Sequence, residues 1–346
     1  MFSSWQGGAG VIRAIAVMTA VTGVLAVGGV ATADVAREAC TYRPTRLPGM
    51  PGEANDFAYV TSTDGADHFA GMGYRGPAEE VTSHVGVVWK DGRVVGEFGG
   101  LSTVSDVNRF GTAIGGTEAV EPLLLHGGRL SRLGRPPGNT RYFAQASAIN
   151  DAGLIIGGAK FDDGTEHAVA WSADDPRNPW DLGVTGRAWA LKDISDSGQI
   201  AGTVQAGTRT RAVTGTVEAG LTPLGGVDPN ADSSATDVAG SFVLGKGTIP
   251  GRAAGWVLWR DGVPSPLSTT ATLQDVNGSG VVVGHETTGG VPTSAIVLNG
   301  ATRTVLPPLP GYRHADAFVV TEDGRVAGRS HDGQYFRSAA TVWTCL

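Results

Sequence analysis

The side chains that could carry catalysis are dispersed along this sequence. Seven histidines stand singly, at positions 68, 84, 126, 167, 285, 314 and 331. The string "HETTG" at His285 lacks the second histidine of the zinc motif HExxH, and no G-x-S-x-G elbow occurs. Adjacent acids occur at Glu79-Glu80, Asp162-Asp163 and Asp174-Asp175, but adjacency in sequence does not create the facing geometry that glycoside cleavage needs. The sequence therefore assigns no catalytic residue.

Two short motifs are similar to ligand-binding loops. "GMGYRG" at residues 71–76 fits G-x-G-x-x-G, yet another strand pattern follows it, so no helix N-terminus is expected to receive a pyrophosphate. Asp228, Asn230 and Asp232 alternate like the start of a calcium loop, but Ser233 and Ala239 occupy the positions where Gly and Glu are needed. An Asx-rich turn is favoured, and a weakly bound ion is the alternative. No cofactor or metal site is predicted.

One ten-residue pattern recurs through the chain, and it determines the predicted architecture. "AINDAGLIIG", "DISDSGQIAG" and "DVNGSGVVVG" begin at residues 148, 193 and 275. Aligning the copies on one aliphatic residue gives seven units, spaced by 38 to 47 residues. The aligned residues are Val60, Val107, Ile149, Ile194, Val238, Val276 and Val320.

Each unit reads as four short strands, which we call a to d. The Ser-Gly or Asp-Gly inside the repeated string marks the a-to-b hairpin. A third strand ends near Trp or an aliphatic residue and is usually followed by a tight turn, at Asp91-Gly92, Gly127-Gly128, Ala219-Gly220, Asp261-Gly262 and Asn299-Gly300. Four antiparallel strands in 40–50 residues are typical of a propeller blade. The sequence thus predicts an all-β, seven-bladed β-propeller, with an open solenoid as the rival architecture.

The two ends of the chain are predicted to share one blade. The last unit contains no strand d, whereas Arg46-Leu47-Pro48 reads as a spare strand d before the first unit. Residues 40–50 are therefore expected to complete blade seven, with blades starting near 54, 102, 144, 188, 233, 271 and 315. Cys40 and Cys345 both fall where the c-to-d turn of that blade would lie, so a disulfide is expected there. Intermolecular pairing and free thiols are the alternatives.

Composition and the N-terminus predict export. Arg13 precedes an uncharged apolar run from Ala14 to Val30, and "ATA" at residues 31–33 has the small residues of a cleavage site. We expect a signal peptide over 1–33, cleaved after Ala33, with a membrane anchor as the alternative. The domain at 34–346 is then a secreted monomer without membrane contact. A net charge of −7, with no basic stripe, argues against nucleic acid as a partner.

The repeat resembles the bacterial extracellular HAF repeat. The pattern is A-x-x-I-N-x-x-G-x-x-x-G, then "HAVAW", then "DLG", and the clearest copy runs from "SAIND" at Ser147 to "WDLG" at Gly183. The resemblance covers most of residues 54–343. It implies an exported, propeller-like repeat protein, and it brings no family-wide catalytic residues with it.

Two functional hypotheses follow. The first is a non-catalytic propeller that binds an extracellular ligand, protein or glycan, at one mouth of the ring. Its candidate loops are the b-to-c stretches 73–83, 161–166, 204–210, 248–252 and 286–292, with Tyr74 and Phe161 as their main aromatic residues. The alternative is a hydrolase or lyase that acts on extracellular polysaccharide. It predicts carboxylates or histidines from several blades converging in the central channel, whereas a channel of Gly, Ser, Val and Thr would contradict it.

Overall fold

A computed structural model describes residues 40–52, 57–77, 83–99, 102–117, 121–140, 143–187, 190–333 and 337–346. All secondary structure in these ranges is β-strand and turn, with no helix. No described segment therefore forms a helix capable of crossing a membrane. The predicted signal peptide at 1–33 lies outside the described residues.

The strands are numbered in chain order. Those of blades 1 to 3 are β2 (Ala58–Thr63), β3 (His68–Arg75), β4 (Ser83–Lys90), β5 (Arg93–Glu97), β6 (Ser102–Val107), β7 (Ala113–Thr117), β8 (Pro122–His126), β9 (Arg129–Arg132), β10 (Ala144–Ile149), β11 (Leu154–Lys160), β12 (Glu166–Ser172) and β13 (Trp180–Val184). Those of blades 4 to 6 are β14 (Leu191–Ile194), β15 (Ile200–Ala206), β16 (Arg209–Thr216), β17 (Gly220–Pro223), β18 (Ser234–Ala239), β19 (Phe242–Gly247), β20 (Gly255–Arg260), β21 (Val263–Leu267), β22 (Thr272–Val276), β23 (Val281–Thr288), β24 (Val291–Asn299) and β25 (Thr302–Leu306). Blade 7 consists of β26 (His314–Val320), β27 (Val326–His331), β28 (Ser338–Cys345) and β1 (Tyr42–Arg46).

These strands form seven antiparallel sheets of four strands each. In the first six sheets the strand order follows the chain from a to d, and in the seventh the order is β26, β27, β28, β1. The predicted seven-bladed propeller, closed by an N-terminal strand, is confirmed. Seven clusters of buried apolar side chains fill the space within and between neighbouring blades, because a single four-stranded sheet cannot bury its own faces.

The structure confirms some of the predicted c-to-d turns and corrects others. Asp91-Gly92 and Asp261-Gly262 both have positive φ at the two turn residues, as the type I′ turn requires. Gly127-Gly128 also has positive φ at both residues and forms the turn between His126 and Arg129. The two remaining predicted pairs, Asn299-Gly300 and Ala219-Gly220, were misplaced. In blade 6 Asn299 pairs with Thr302, so the turn is Gly300-Ala301. In blade 4 Thr216 pairs with Gly220, and a longer loop over 217–219 replaces the expected two-residue turn.

Every strand a carries a β-bulge at the same place. The bulged residues are Thr61, Ser105, Ser147, Lys192, Thr236, Gln274 and Phe318. This shared register corrects the alignment of the first repeat. Thr63 pairs with Phe69 as Val107 pairs with Ala113, so the first aligned residue is Thr63 and not Val60.

The bulge explains the glycine that ends each repeated string. A Cβ on Gly157 of strand β11 would stand 1.9 Å from the carbonyl oxygen of Gln145, and one on Gly115 would stand 1.9 Å from that of Thr103. The equivalent distances in the other blades are 2.0 to 2.5 Å, at Gly71, Gly202, Gly245, Gly284 and Gly328. Since the bulge brings the carbonyl of strand a against strand b, only glycine fits at this position.

Tryptophans of strand c tie alternate blades to their predecessors. Trp89, Trp171, Trp259 and Trp343 are fully buried. Their indole Nε1–H groups donate to the carbonyls of Pro48, Gly134, Gly225 and Pro307, at 2.6 to 3.0 Å. Each acceptor follows strand d of the preceding blade. The Trp of the repeat is therefore a tether between blades as well as a core residue.

Replacing Trp171 by Phe is expected to destabilise the protein by about 2 kcal/mol. The substitution keeps most of the apolar area but leaves the partly buried carbonyl of Gly134 without the indole donor. Urea unfolding of the purified protein measures the loss. Trp180→Phe is the matched control, since Trp180 is 48% exposed. Equal stability losses in the two variants would contradict the tether.

The ring closes through the chain ends. Strand β1 pairs with β28, from Tyr42 opposite Cys345 to Arg46 opposite Thr341. A disulfide joins Cys40 to Cys345, whose Cα atoms are 5.5 Å apart. Backbone hydrogen bonds extend the junction on both sides, from Leu47 to Ala340 and from Leu346 to Thr41. The predicted disulfide is confirmed, and it takes the place of a covalent c-to-d turn.

Candidate functional site

A polar cavity of about 520 Å³ occupies the channel at the centre of the ring. All seven bulged residues of the a strands line it. One end of the cavity is lined by residues of the a-to-b turns, including Asp64, Asn108, Asp151, Asp196 and Glu322. None of the predicted b-to-c stretches contributes a lining residue. The cavity therefore opens toward the face of the a-to-b turns, and we call this opening the acidic mouth for the charges described below.

Four aspartates beside the bulges line the cavity and bridge neighbouring blades. Each stands one residue after the bulge and accepts a backbone N–H from strand a of the next blade. The donors and N···O distances are Ile149 to Asp106 at 2.8 Å, Val238 to Asp193 at 2.9 Å, Val276 to Asp237 at 2.6 Å and Val320 to Asp275 at 2.6 Å. The Ser62 hydroxyl also donates to Asp106. One oxygen of each carboxyl is thus used to hold the ring together.

Burial raises the pKa of all four carboxyl groups. Burial, reinforced by the charge of Asp193, raises the pKa of Asp106 to about 7. Burial raises the pKa of Asp275 to about 7 as well. It raises the pKa values of Asp193 and Asp237 well above their ordinary value, with further contributions from the next carboxyl along the ring. Asp106 and Asp275 are therefore only partly ionised at neutral pH, and the same shift favours the protonated forms of Asp193 and Asp237.

The cavity lining is acidic overall. Among the residues that the structure describes, eight carboxyl side chains and one amine, that of Lys192, line it. Burial, followed by the charge of Arg187, lowers the pKa of Lys192. Even when the four channel aspartates are partly protonated, the carboxyls at the a-to-b turns make the opening a region of negative potential.

Carboxyls at the acidic mouth are held by neighbouring turns. Asp151 pairs with Arg109 at 2.9 Å, and its own N–H donates to Asp196 at 3.0 Å. Glu322 accepts the N–H of Gly278 at 3.0 Å, and Asp64 pairs with His68 at 2.8 Å. Burial, followed by the proximity of Asp151, raises the pKa of Asp196. The mouth is thus a fixed arrangement of carboxyls rather than a set of free side chains.

The asparagine of the repeated string links blades at the same level. The side-chain amides of Asn108, Asn150 and Asn277 donate to the carbonyls of Asn150, Ser195 and Thr321 in the following blade, at 3.0 to 3.2 Å. Their Oδ1 atoms accept backbone N–H groups of their own hairpins. The repeated strings therefore build the a-to-b hairpins, as predicted, and they also line the channel.

The histidine and aspartate of the "HAVAW" and "DLG" segments meet in blade 3. His167 Nδ1 lies 2.8 Å from Asp181, and its Nε2 lies 2.9 Å from the hydroxyl of Thr165. The three groups have the order of a nucleophile, a base and an acid. However, the hydroxyl proton of Thr165 goes to Asp163 at 2.5 Å, which leaves none for His167 to remove. The ring of His167 also stacks on Phe161 at 4.0 Å, so this group serves to fix the blade.

A second buried polar group lies in blade 7. Asp316 is fully buried and accepts hydrogen bonds from Arg329 at 2.6 Å and from His331 at 3.3 Å. The Gly333 N–H donates to His331 Nδ1, which places the ring proton on Nε2. Burial raises the pKa of Asp316, but the hydrogen bond from His331 and the charge of Arg329 outweigh burial and lower it overall. The group is a satisfied ion pair within the sheet.

The residues that the sequence suggested are placed away from the channel. Tyr74 and Phe161 are buried, at 2% and 9% exposure, so they do not form the expected aromatic loop surface. Asp162 accepts from Thr140 in the loop before β10, and Asp175 accepts from Asn178 within its own loop. Glu79-Glu80 lies outside the described residues. No pair of adjacent acids that the structure describes lines the cavity.

The loop of Asp228, Asn230 and Asp232 forms an ordinary Asx turn. Asp228 accepts the N–H of Asn230 at 2.8 Å, and Asp232 accepts the N–H of Thr210 at 2.8 Å. In the part of the chain that the structure describes, no group of three His, Cys, Asp or Glu side chains could hold a metal ion.

Sequence reasoning missed the four channel aspartates, although a signal was present. Asp precedes the aligned aliphatic residue in "SDV", "KDI", "TDV" and "QDV", in four of the seven copies. A carboxyl next to a buried aliphatic residue at one repeat position faces the same direction in every blade, and in a closed ring that direction is the axis. The polysaccharide-enzyme hypothesis expected carboxylates of several blades to converge in the channel, and they do.

No protein-family model and no curated protein matches the chain. Among solved structures, the oligogalacturonate lyase of Vibrio parahaemolyticus is similar, with a TM-score of 0.58 and 10% identity over 88% of this chain and 96% of that one. An oligogalacturonate lyase in complex with manganese gives 0.57 and 9%, over 89% and 96%. A puromycin-hydrolysing peptidase of Mycobacterium tuberculosis gives 0.55 and 14%, over 87% of this chain and 54% of the peptidase. At these identities the likeness shows the propeller fold alone.

Proposed function

We propose that the chain is an exported, monomeric, non-catalytic HAF-repeat propeller that binds a positively charged group of an extracellular partner at the acidic mouth. The observation that carries this proposal is the set of four carboxyls at the opening, Asp64, Asp151, Asp196 and Glu322, with Lys192 as the single basic side chain among the described residues that line the cavity. The opening is a fixed field of negative potential, and it favours a basic protein segment over an acidic glycan.

The hydrogen bonding of the channel supports binding rather than catalysis. One oxygen of each channel aspartate accepts a backbone N–H of the next blade, so these carboxyls stabilise the contacts between blades. Asp193 and Asp237 lie in hydrogen-bonding contact, which is closer than the 5 Å or more that separates the two carboxyls of a glycosidase. The disulfide is consistent with an oxidising compartment outside the cytoplasm and so supports export.

The second candidate is a hydrolase or lyase that acts on extracellular polysaccharide. Its support is the pair of channel carboxyls, Asp106 and Asp275, whose pKa is raised to about 7, the range suited to a group that donates a proton near neutral pH. The likeness to oligogalacturonate lyases directs attention to uronate chains. Those chains are polyanions, however, and the carboxyls of the mouth would repel them.

Titration of the oxidised protein with a hexalysine peptide tests the proposal. We expect binding by calorimetry that weakens as salt is raised, and no binding of hexaglutamate. The double variant Asp196→Asn with Glu322→Gln keeps the hydrogen-bond acceptors and removes two charges at the mouth. At about 0.5 kcal/mol for each charge, its affinity should fall about fivefold.

The control is Asp174→Asn with Asp261→Asn, which removes the same charge from loops that do not line the cavity. Equal affinity losses in both double variants would show that net charge, and not the mouth, attracts the peptide. Release of unsaturated products from oligogalacturonate, or cleavage of chromogenic glycosides, would instead support the enzyme.

A further inference from the structure

Asp193, Asp237 and Asp275 belong to three successive blades and form one continuous line of carboxyls. They stand at the same repeat position in strands β14, β18 and β22. Each accepts the N–H of the following blade, so the line connects blade 4 through to blade 7. It ends at both sides for the same reason, since Ala148 in blade 3 and Val319 in blade 7 occupy the equivalent position without a carboxyl. We call this line the carboxyl ladder.

The carboxyls of the ladder touch one another. Asp193 is in hydrogen-bonding contact with Asp237, and Asp237 is in contact with Asp275. Two ionised carboxylates in contact have no proton to share and repel, so each contact needs a proton. The contact raises the pKa of Asp193 and of Asp237, whereas the hydrogen bond from Asp237 lowers that of Asp275. Each of the two contacts therefore holds a shared proton.

Few other charged groups face the ladder. Asp106 of blade 2 lies close enough for the charge of Asp193 to raise its pKa. Lys192, on β14 beside Asp193, has its pKa lowered by burial and by Arg187. The neighbouring bulged residues Thr236, Gln274 and Phe318 carry no charge. No cation lining the cavity in the described part of the chain pairs with the three carboxyls, so protons hold the ladder together.

We propose that the carboxyl ladder is a proton-dependent clamp, which joins blades 4 to 7 in acidic and neutral solution and loosens in alkaline solution. The sign follows from linkage. The folded protein holds protons that the unfolded chain releases around pH 4, so stability falls as pH rises through the raised values of the ladder. The fall begins near the ordinary aspartate pKa of the unfolded chain and continues to about pH 7, where Asp275 titrates in the folded protein. The clamp does not depend on the proposed ligand.

The variant Asp237→Asn tests the clamp on the free, oxidised protein. Its amide keeps an oxygen for the Val276 N–H and supplies N–H donors that do not ionise, in place of the single O–H of a protonated aspartate. The Tm of the wild type should fall between pH 5 and pH 9. At pH 9 the variant should melt about 5 °C or more above the wild type, and at pH 5 the two should melt together. Asp261→Asn, in an exposed turn, should follow the wild-type curve.

Two further measurements complete the test. Asp237→Leu removes the acceptor as well as the charge, so its Tm should be lower than that of Asp237→Asn at every pH. The carboxyl ¹³C resonance of Asp275 should titrate near pH 7 in the wild type. Parallel Tm curves for the wild type and Asp237→Asn, an Asp237→Asn chain that fails to fold at pH 5, or a carboxyl that titrates near pH 4 would each overturn the clamp.

Discussion

Deletion of residues 40–50 should leave a protein that does not fold. The deletion removes strand β1, and with it the only partner of β28 on that side, the anchoring Leu47 and the Pro48 carbonyl that accepts from Trp89. Blade 7 would then present an open edge, and the cores that join it to blades 1 and 6 would be exposed. Loss of the cooperative thermal transition in circular dichroism is the expected result. A melting curve like that of the intact protein would contradict ring closure by this segment.

The disulfide accounts for only part of this effect, and a second variant separates the two parts. Cys40→Ser with Cys345→Ser keeps the β1–β28 pairing but frees a loop of 305 residues. The chain-entropy model gives a loss of about 5 kcal/mol, or about 10 °C in Tm for a domain of this size. The double variant should therefore fold and melt earlier. A reducing agent should lower the Tm of the wild type to the same value and leave the variant unchanged.

Gly157→Ala is expected to destabilise the protein by about 3 kcal/mol or more, although it adds one methyl group. The new Cβ would stand 1.9 Å from the Gln145 carbonyl oxygen, and the contact is with backbone, so no side chain can turn away. Either the bulge of strand a flattens or strands β10 and β11 separate. Urea unfolding measures the loss. Since the clash acts between β10 and β11, which are both strands of blade 3, the change should also make blade 3 more sensitive to proteolysis.

The matched control is Gly255→Ala. Gly255 also lies in a strand, at the start of β20, but nothing stands within 4 Å of a Cβ built on it. There the substitution should be neutral, or should stabilise slightly by restricting the unfolded chain. If both variants lose the same stability, the cost comes from the loss of glycine in a strand and not from the bulge.

Much of the fold could be predicted from the sequence because nearly every recurring residue of the repeat has a structural role. The aliphatic residue fills the space between blades, and the Asn ties one hairpin to the next. The final Gly makes room for the bulge, and the Trp reaches the preceding blade. Seven copies of such a unit leave few alternatives to a ring. The spare strand and the two cysteines then located the closure, since both lie where one blade is interrupted.

The turn predictions show where local rules fail. Asp91-Gly92 and Asp261-Gly262 adopt the expected positive φ, whereas Asn299 stays in its strand and the turn moves to Gly300-Ala301. Both registers satisfy local turn chemistry, and only the pairing of β24 with β25 selects between them. The first repeat was misaligned by three residues for a similar reason. Strand β2 has a bulge between Val60 and Ser62 that one copy of the repeat does not reveal, so Val60 was aligned in place of Thr63.

The sequence alone determined the seven-unit β-repeat, the strand that completes the last blade and the pairing of Cys40 with Cys345, because each follows from spacing along one chain. Only the tertiary structure decided which residues line the channel and which face it opens to. Tyr74 and Phe161 are buried, while aspartates as much as 169 residues apart in the chain meet at the axis. When the ring closes, residues at one repeat position in successive blades become neighbours. The protonation of these carboxyls depends on that proximity and not on the local sequence.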